Sequence, residues 1–352
     1  MQLVAEPRVA LRAPTRGARR PRAVAAWLVA CCVLVFLMVV VGGVTRLTHS
    51  GLSITEWQPI VGTIPPLSTA DWQDAFTRYQ ATPEFREVNH AMTLDEFKGI
   101  FWWEYFHRLL GRAIGVVFLV PFLYFLARRR IPQGYARPLA AIFVLGGLQG
   151  ALGWYMVQSG LVDDPRVSQF RLTAHLGLAV LILGAMLWTA LSLLDPVRAH
   201  GVPRRARRFA FGIAALVFAM ILTGGLVAGI RAGFAYNTWP SMNGHAVPPE
   251  ILSIAPWWRN FFWNMATVQF DHRMIAYTLA VGVPLLAWTL RGDDVPARAR
   301  IGSRGFLAML AVQIALGIST LLLVVPIPLA ALHQAGAVLT FALALNVAHA
   351  LR

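Results

Sequence analysis

"EYFHRLLGRAIGVVFLVPFLYFLARRR", residues 104–130, decides the fold. From Tyr105 to Ala127 it is almost wholly apolar, and Arg128, Arg129 and Arg130 end it abruptly. A hydrocarbon core of about 30 Å is crossed by about 20 such residues in a helix. No other open-ended structure satisfies its backbone polar groups there. A histidine, His107, stands near the start of the segment, just after Trp102 and Trp103. An aromatic pair of that kind marks a membrane interface.

Working outward, seven more segments read the same way. The eight predicted spans are roughly 24–44, 105–127, 138–157, 172–194, 209–230, 264–290, 305–325 and 329–350. Over the 352 residues, 57% are hydrophobic and only 13% charged. A soluble domain carries about twice that charge fraction. The predicted class is therefore all-α and integral to a membrane. The net charge of +15 does not point to nucleic acid: Lys98 is the only lysine, and the arginines fall in short blocks between apolar segments. Blocks of that kind are topology signals rather than a binding groove.

The blocks are Arg8, Arg12, Arg16, Arg19, Arg20 and Arg22 at the N-terminus; Arg128, Arg129, Arg130 and Arg137; Arg198, Arg204, Arg205, Arg207 and Arg208; and Arg291, Arg298, Arg300 and Arg304. With eight spans they share one side, so both termini are predicted to be cytoplasmic in a bacterial inner membrane. A mitochondrial transit peptide is the other reading of the N-terminal arginines. The opposite side carries two long loops, 45–100 and 231–262, and in the first "TLDE" (93–96) reads as a capping box that starts a helix. Cys31 and Cys32, inside the first span, read as lipid-facing apolar side chains without a disulfide.

The two halves repeat. "VGGVTRLTHSGLSITEWQPIVGTIPP" (41–66) parallels "TGGLVAGIRAGFAYNTWPSMNGHAVPP" (223–249), and "EYFHRLLGR" (104–112) parallels "QFDHRMIAY" (269–277). "LGGLQGALG" (145–153) is set against "AVQIALGIS" (311–319), and "LTAHLGLAV" (172–180) against "ALHQAGAVL" (331–339). Four helices per repeat make this a parallel repeat rather than an inverted one. The chain divides into a tail at 1–23 and two four-helix halves, 24–200 and 201–352.

Four histidines occupy matching places: His107, His175, His272 and His333, near the outer ends of spans two, four, six and eight. A histidine within a span is a functional candidate. Two neutral imidazoles offered across a bundle are the axial set of a haem iron. Hydrogen bonding within the bundle is the bland alternative; zinc or copper would want further ligands, and no cysteine is at hand. Arg108, Arg112 and Arg273 are candidate partners for haem propionates, or else pair with Glu104 and Asp271 or reach the head groups. Glu104 precedes His107 by three residues, where the second repeat has Gln269. A carboxylate there can take a proton or steady positive charge, which assigns chemistry to the first half and electron transfer to the second, unless Glu104 only pairs with Arg108. His49, His90, His200, His245 and His349 rank as solvated or interfacial.

Taken together, "GGVTRLTHSGLSITEWQPIVGTIPP", "EYFHRLLGR", "LTAHLG", "FDHRMIAY" and "LHQAGA" resemble the haem A synthase family, from about residue 35 to the end. The resemblance implies an oxidoreductase that converts the C8 methyl of haem O to a formyl group, giving haem A for terminal cytochrome oxidase. It implies substrate haem at His107 and His175 with Glu104 catalytic, and a haem B cofactor held by His272 and His333. Haem O synthase, an electron-transfer partner and a homo-oligomer are the partners it suggests. Some members carry cysteines in the outer loops; this chain resembles the cysteine-free branch. A quinone-linked di-haem cytochrome b needs the same histidines and is the main alternative, with a haem carrier ranked below it.

Overall fold

The computed structural model describes residues 19–58, 61–161, 167–197, 199 and 201–352. The arginines of the N-terminal tail before Arg19, together with Arg198 and His200, lie outside the described residues. Among those described there are eight long helices. The first half contributes α1 (Arg19–Leu47), then, after two short helices α2 (Thr69–Gln80) and α3 (Pro83–Glu87), α4 (Leu94–Ala127), α5 (Ala136–Gly160) and α6 (Gln169–Leu194). The second contributes α7 (Arg204–Gly229), a single turn α8 (Asn260–Trp263), α9 (Met265–Thr289), α10 (Ala297–Leu322) and α11 (Ile327–Ala350).

Seven of these helices are long and apolar enough to cross a membrane, and the chain is multi-pass. Eight spans were expected. The sixth, read at 264–290, is present as α9, but Gln269, Asp271, His272 and Arg273 crowd its first turns and shorten its apolar stretch, and it is not among the seven. α4 runs 34 residues, about 51 Å at about 1.5 Å per residue, so its first turns extend past a hydrocarbon core of about 30 Å. That extension begins where expected: the Thr93 side chain accepts from the Glu96 N–H, while the Glu96 carboxylate accepts from the Thr93 N–H. Phe97, Phe101 and Tyr105 on it pack against Phe76 and Tyr79 of α2, a small aromatic core outside the main one.

Contacts between helices close two rings. α1, α4, α5 and α6 surround one interior; α7, α9, α10 and α11 surround another. The rings meet through α1 and α6 on one side and α7 and α11 on the other. Small residues allow the close approach there. Gly43 of α1 abuts Gln334 of α11, whose amide donates to the Val39 carbonyl at 2.8 Å. Gly184 of α6 faces Phe341, and Gly225 of α7 faces Thr173. Across the same seam Arg46 donates to the carbonyl of Ala228, its own counterpart in the aligned repeats. The chain leaves α1 and α7 alike, through a left-handed residue at matching positions, His49 (φ 54°) and Arg231 (φ 57°).

Two expectations are corrected here. Cys31 and Cys32 are buried in the core rather than facing lipid, because α1 lies against α6 and the Cys32 thiol meets the Leu183 carbonyl at 3.7 Å. His349 is fully buried rather than interfacial: Ser192 lies 3.0 Å from its Nε2 and Arg352 2.8 Å from its Nδ1, with Trp188 edge-on to the ring.

Candidate functional site

Each of the four histidines is set against a glycine of the helix that precedes it in its ring. His107 of α4 lies on Gly42 of α1, and His175 of α6 on Gly153 of α5. His272 of α9 lies on Gly224 of α7, and His333 of α11 on Gly317 of α10. A Cβ at Gly153 would come within 2.8 Å of the His175 ring, and one at Gly317 within 2.9 Å of the His333 ring. At these two positions only a residue without a side chain lets the ring sit so flush with the neighbouring backbone, while the contacts at Gly42 (3.0 Å) and Gly224 (3.3 Å) are looser. His107 and His175 lie within electrostatic range of each other, and so do His272 and His333. The structure thus brings the predicted histidines together in two pairs, one inside each ring of helices.

The rings are held by side chains that the repeat reading placed out of register. Gln149 donates to the His175 carbonyl at 3.0 Å and lies 3.4 Å from its Nε2; Gln313 donates to the His333 carbonyl at 2.8 Å and lies 3.0 Å from its Nδ1. Each glutamine stands four residues before the glycine its histidine covers. "LQGALG" (148–153) therefore corresponds to "VQIALG" (312–317), two residues from the alignment of 145–153 with 311–319. Thr223 of α7 lies 2.9 Å from Nδ1 of His272. In the first half Val41 occupies that place, and no hydrogen bond to the His107 ring occurs among the described residues.

Glu104 is 2% exposed, and its carboxylate accepts four hydrogen bonds. Oε2 accepts from the Ser53 hydroxyl (2.7 Å) and the Ile54 N–H (2.8 Å); Oε1 accepts from Nε (2.9 Å) and Nη2 (2.6 Å) of Arg108. Arg108 also donates to the carbonyls of Ile54 (2.7 Å) and Glu56 (2.9 Å), and Arg112 to that of Gln58 (2.8 Å). In the second half Gln269 donates to the Ala232 carbonyl (2.8 Å) and accepts from Arg273 (3.1 Å). Arg273 in turn donates to the carbonyls of Tyr236 (3.0 Å) and Thr238 (2.9 Å). The three arginines predicted to face propionates thus tie the outer loops to α4 and α9. Their fork of donors suits loop carbonyls as well as it suits carboxylates.

Each pair offers the donor types of an axially ligated iron porphyrin: two imidazoles carried by different helices of one apolar ring. The Nδ1 of His175 and the Oε1 atoms of Gln149 and Gln313 are buried without partners among the described residues, so each pair has polar valence left over. No cluster of three or more His, Cys, Asp or Glu suited to a bare metal ion occurs among the described residues.

A second buried acid stands near Glu104 in the outer loop. Glu84 of α3 is 5% exposed and accepts a long hydrogen bond from Tyr79. Burial, and then the charge of Glu104, push its carboxyl up from an ordinary 4.5 to about 7, against the pull of the Tyr79 bond. The folded state therefore holds this proton through a pH range in which the unfolded chain has lost it. The sign follows from linkage: stability is highest below the unfolded value, falls as pH rises through the folded value and is flat above it. The rise from 4.5 to about 7 corresponds to about 3.5 kcal/mol, at about 1.4 kcal/mol per tenfold change in proton affinity. Hydrogen exchange of α2 and α3 should thus be slower at pH 5 than at pH 8, beyond the intrinsic pH effect, and Glu84→Gln should remove most of that difference. Equal pH dependence in the two proteins would show that Glu84 does not carry it.

Residues 25–345 match the model of the COX15-CtaA family, described as cytochrome oxidase assembly protein. The chain is 60% identical over 332 residues to a heme A synthase of Nitrosospira multiformis, covering 94% of this chain and 93% of that one. It is 54% identical to a heme A synthase of Nitrosomonas eutropha, with 92% of each chain covered. It is 50% identical to that of Parvibaculum lavamentivorans, with 94% of each covered.

Proposed function

The chain belongs to the COX15-CtaA family of cytochrome oxidase assembly proteins, and from that premise we propose that it converts haem O to haem A. The reaction is the oxidation of the C8 methyl of haem O to a formyl group. His107 and His175 would hold the substrate haem in the first ring of helices, and His272 and His333 would hold haem B in the second. The observation that carries this reading is the paired placement of the four histidines, each flush against a glycine of the preceding helix. Haem B, when bound, supplies one-electron redox chemistry that links the first site to an external electron-transfer partner.

The protein's own part is to bind, orient and shield. Gln149 and Gln313 fix the backbone and ring of His175 and His333. The Glu104 carboxylate, ion-paired with Arg108, holds Ser53 and Ile54 one helical turn from His107. A carboxylate there favours positive charge developing on the porphyrin edge during oxidation. Arg108, Arg112 and Arg273 close the loops over the two sites; any contact they make with propionates shares their donors with those carbonyls. The eight long helices all span, α9 included, as a parallel repeat with both termini cytoplasmic in the inner membrane. Haem O synthase is the metabolic partner.

The test is co-expression with a haem O synthase in a host lacking haem A, followed by haem extraction and chromatography. Haem A should appear only when both proteins are present, and the purified chain should hold haem B alongside haem O or haem A. Haem B alone at both sites, with rapid quinol oxidation, would replace this reading with the di-haem cytochrome.

A further inference from the structure

We propose that Thr223 locks His272 as the ligand of a permanently held haem, and that Val41, its counterpart, leaves His107 free to take and release one. The proposal rests on the assignment of cofactor and substrate haem made above. It begins with one proton. The Thr223 hydroxyl lies 3.0 Å from the Met220 carbonyl and 2.9 Å from His272 Nδ1. A hydroxyl has a single hydrogen and a carbonyl only accepts, so for both contacts to be hydrogen bonds that hydrogen must go to Met220. The bond to the ring is then donated by His272 Nδ1–H to Oγ1. This selects the tautomer whose lone pair is on Nε2, the nitrogen left for iron, and makes the imidazole a stronger donor.

The first half shows the same frame without the hydroxyl. Val41 and Gly42 stand where Thr223 and Gly224 stand. At Gly224 an added Cβ would meet the Cε1–Nδ1 edge of His272, at 3.3 and 4.0 Å. At Gly42 it would meet the opposite edge of His107, Nε2 at 3.0 Å and Cδ2 at 3.3 Å. Equivalent helices and equivalent glycines present opposite ring edges, and the polar difference at the contact is one side chain. An isopropyl group neither selects a tautomer nor resists rotation of the ring. A site that must admit haem O and discharge haem A gains from that freedom; a site that keeps its haem gains from the lock.

The experiment compares wild type, Thr223→Val, Thr223→Ser, Val41→Thr and His272→Ala in the detergent-purified, haem-loaded chain. Haem B release is followed by transfer to excess apomyoglobin, and its midpoint potential by redox titration. Loss of an outer-shell partner typically costs about 10–100-fold in affinity. Thr223→Val should therefore release haem B about 10–100-fold faster and raise its potential, because the imidazole becomes a weaker donor. Thr223→Ser should restore both. Val41→Thr should slow release of haem O or haem A about tenfold by turning the His107 ring over, so that Nδ1 rather than Nε2 meets the new hydroxyl. Unchanged release and potential in Thr223→Val, or a serine variant that behaves like valine, would overturn the proposal. His272→Ala separates the two levels: if it retains a full complement of haem B, the cofactor site itself has been misassigned. If it loses haem B while Thr223→Val does not, only the role of Thr223 falls.

Discussion

Alanine at His107 or His175 should abolish conversion of haem O to haem A while leaving haem B bound at close to one per chain. Alanine at His272 or His333 should strip the haem B. The expectation follows from the separation of the two pairs. His107 and His175 belong to helices of the first ring, α4 and α6; His272 and His333 belong to α9 and α11 of the second. Within each pair the rings lie in electrostatic range of one another. Removing an outer-shell partner of a ligating histidine costs about 10–100-fold, and removing the ligand itself costs more. Haem extraction from the four purified variants, with conversion measured in cells that supply haem O, makes the comparison. The difference between halves is the informative part. A uniform loss of both pigments in all four would mean that neither half has a dedicated cargo, as in a symmetric electron-transfer cytochrome.

The large features of this architecture are legible because lipid imposes them. Apolar stretches near 20 residues, arginine blocks on alternate connections and a capping box at Thr93 each have one physical cause and a local signature. The histidines are legible for a related reason: an imidazole in a span is costly, and four at matched positions are hard to explain as packing. What escapes is set by contacts between distant segments. Ser53 and Ile54 lie fifty residues from Glu104, in a loop without periodicity. Beyond Glu104 and Gln269, the partners of Arg108 and Arg273 are backbone carbonyls of the loops, which any sequence supplies. Gln149 and Gln313 sat in recognised repeats, yet an alignment slipped by two residues hid their equivalence; the structure restores it because each reaches the histidine one helix on. The Val41–Thr223 difference is nearly isosteric, so volume and pattern pass over it, and only the 2.9 Å contact with His272 gives it meaning. α9 departs from the rest because its first turns carry both the ligand and the groups that staple the loop.

Glu104→Gln should lower haem A formation about 100-fold or more while leaving haem bound in both halves, and Gln269→Glu should weaken the second loop rather than create a second active site. The reasoning turns on what each side chain faces. Oε2 of Glu104 meets two donors, the Ser53 hydroxyl and the Ile54 N–H, and Oε1 meets the Arg108 guanidinium. An amide brings an N–H₂ against donors on one side or the other, so the substitution loses a charge and gains a clash. Gln269 faces the opposite arrangement, with its N–H₂ on the Ala232 carbonyl and its oxygen on Arg273, so an amide fits and a carboxylate does not. The Glu–Gln difference between repeats is therefore written into the loops. Two costs must be told apart. Leaving buried donors unpaired costs about 1–3 kcal/mol, and removing one partner of a buried ion pair about 3–5 kcal/mol. Loss of a preorganised charge at a reacting centre costs about 10²–10³ in rate. Ser53→Ala provides the control, since it loosens the loop without touching the charge. Limited proteolysis of the 48–58 segment and haem A yield, measured together, separate the effects. If Ser53→Ala matches Glu104→Gln in both, the carboxylate serves only to hold the loop, and the electrostatic role assigned to it is wrong.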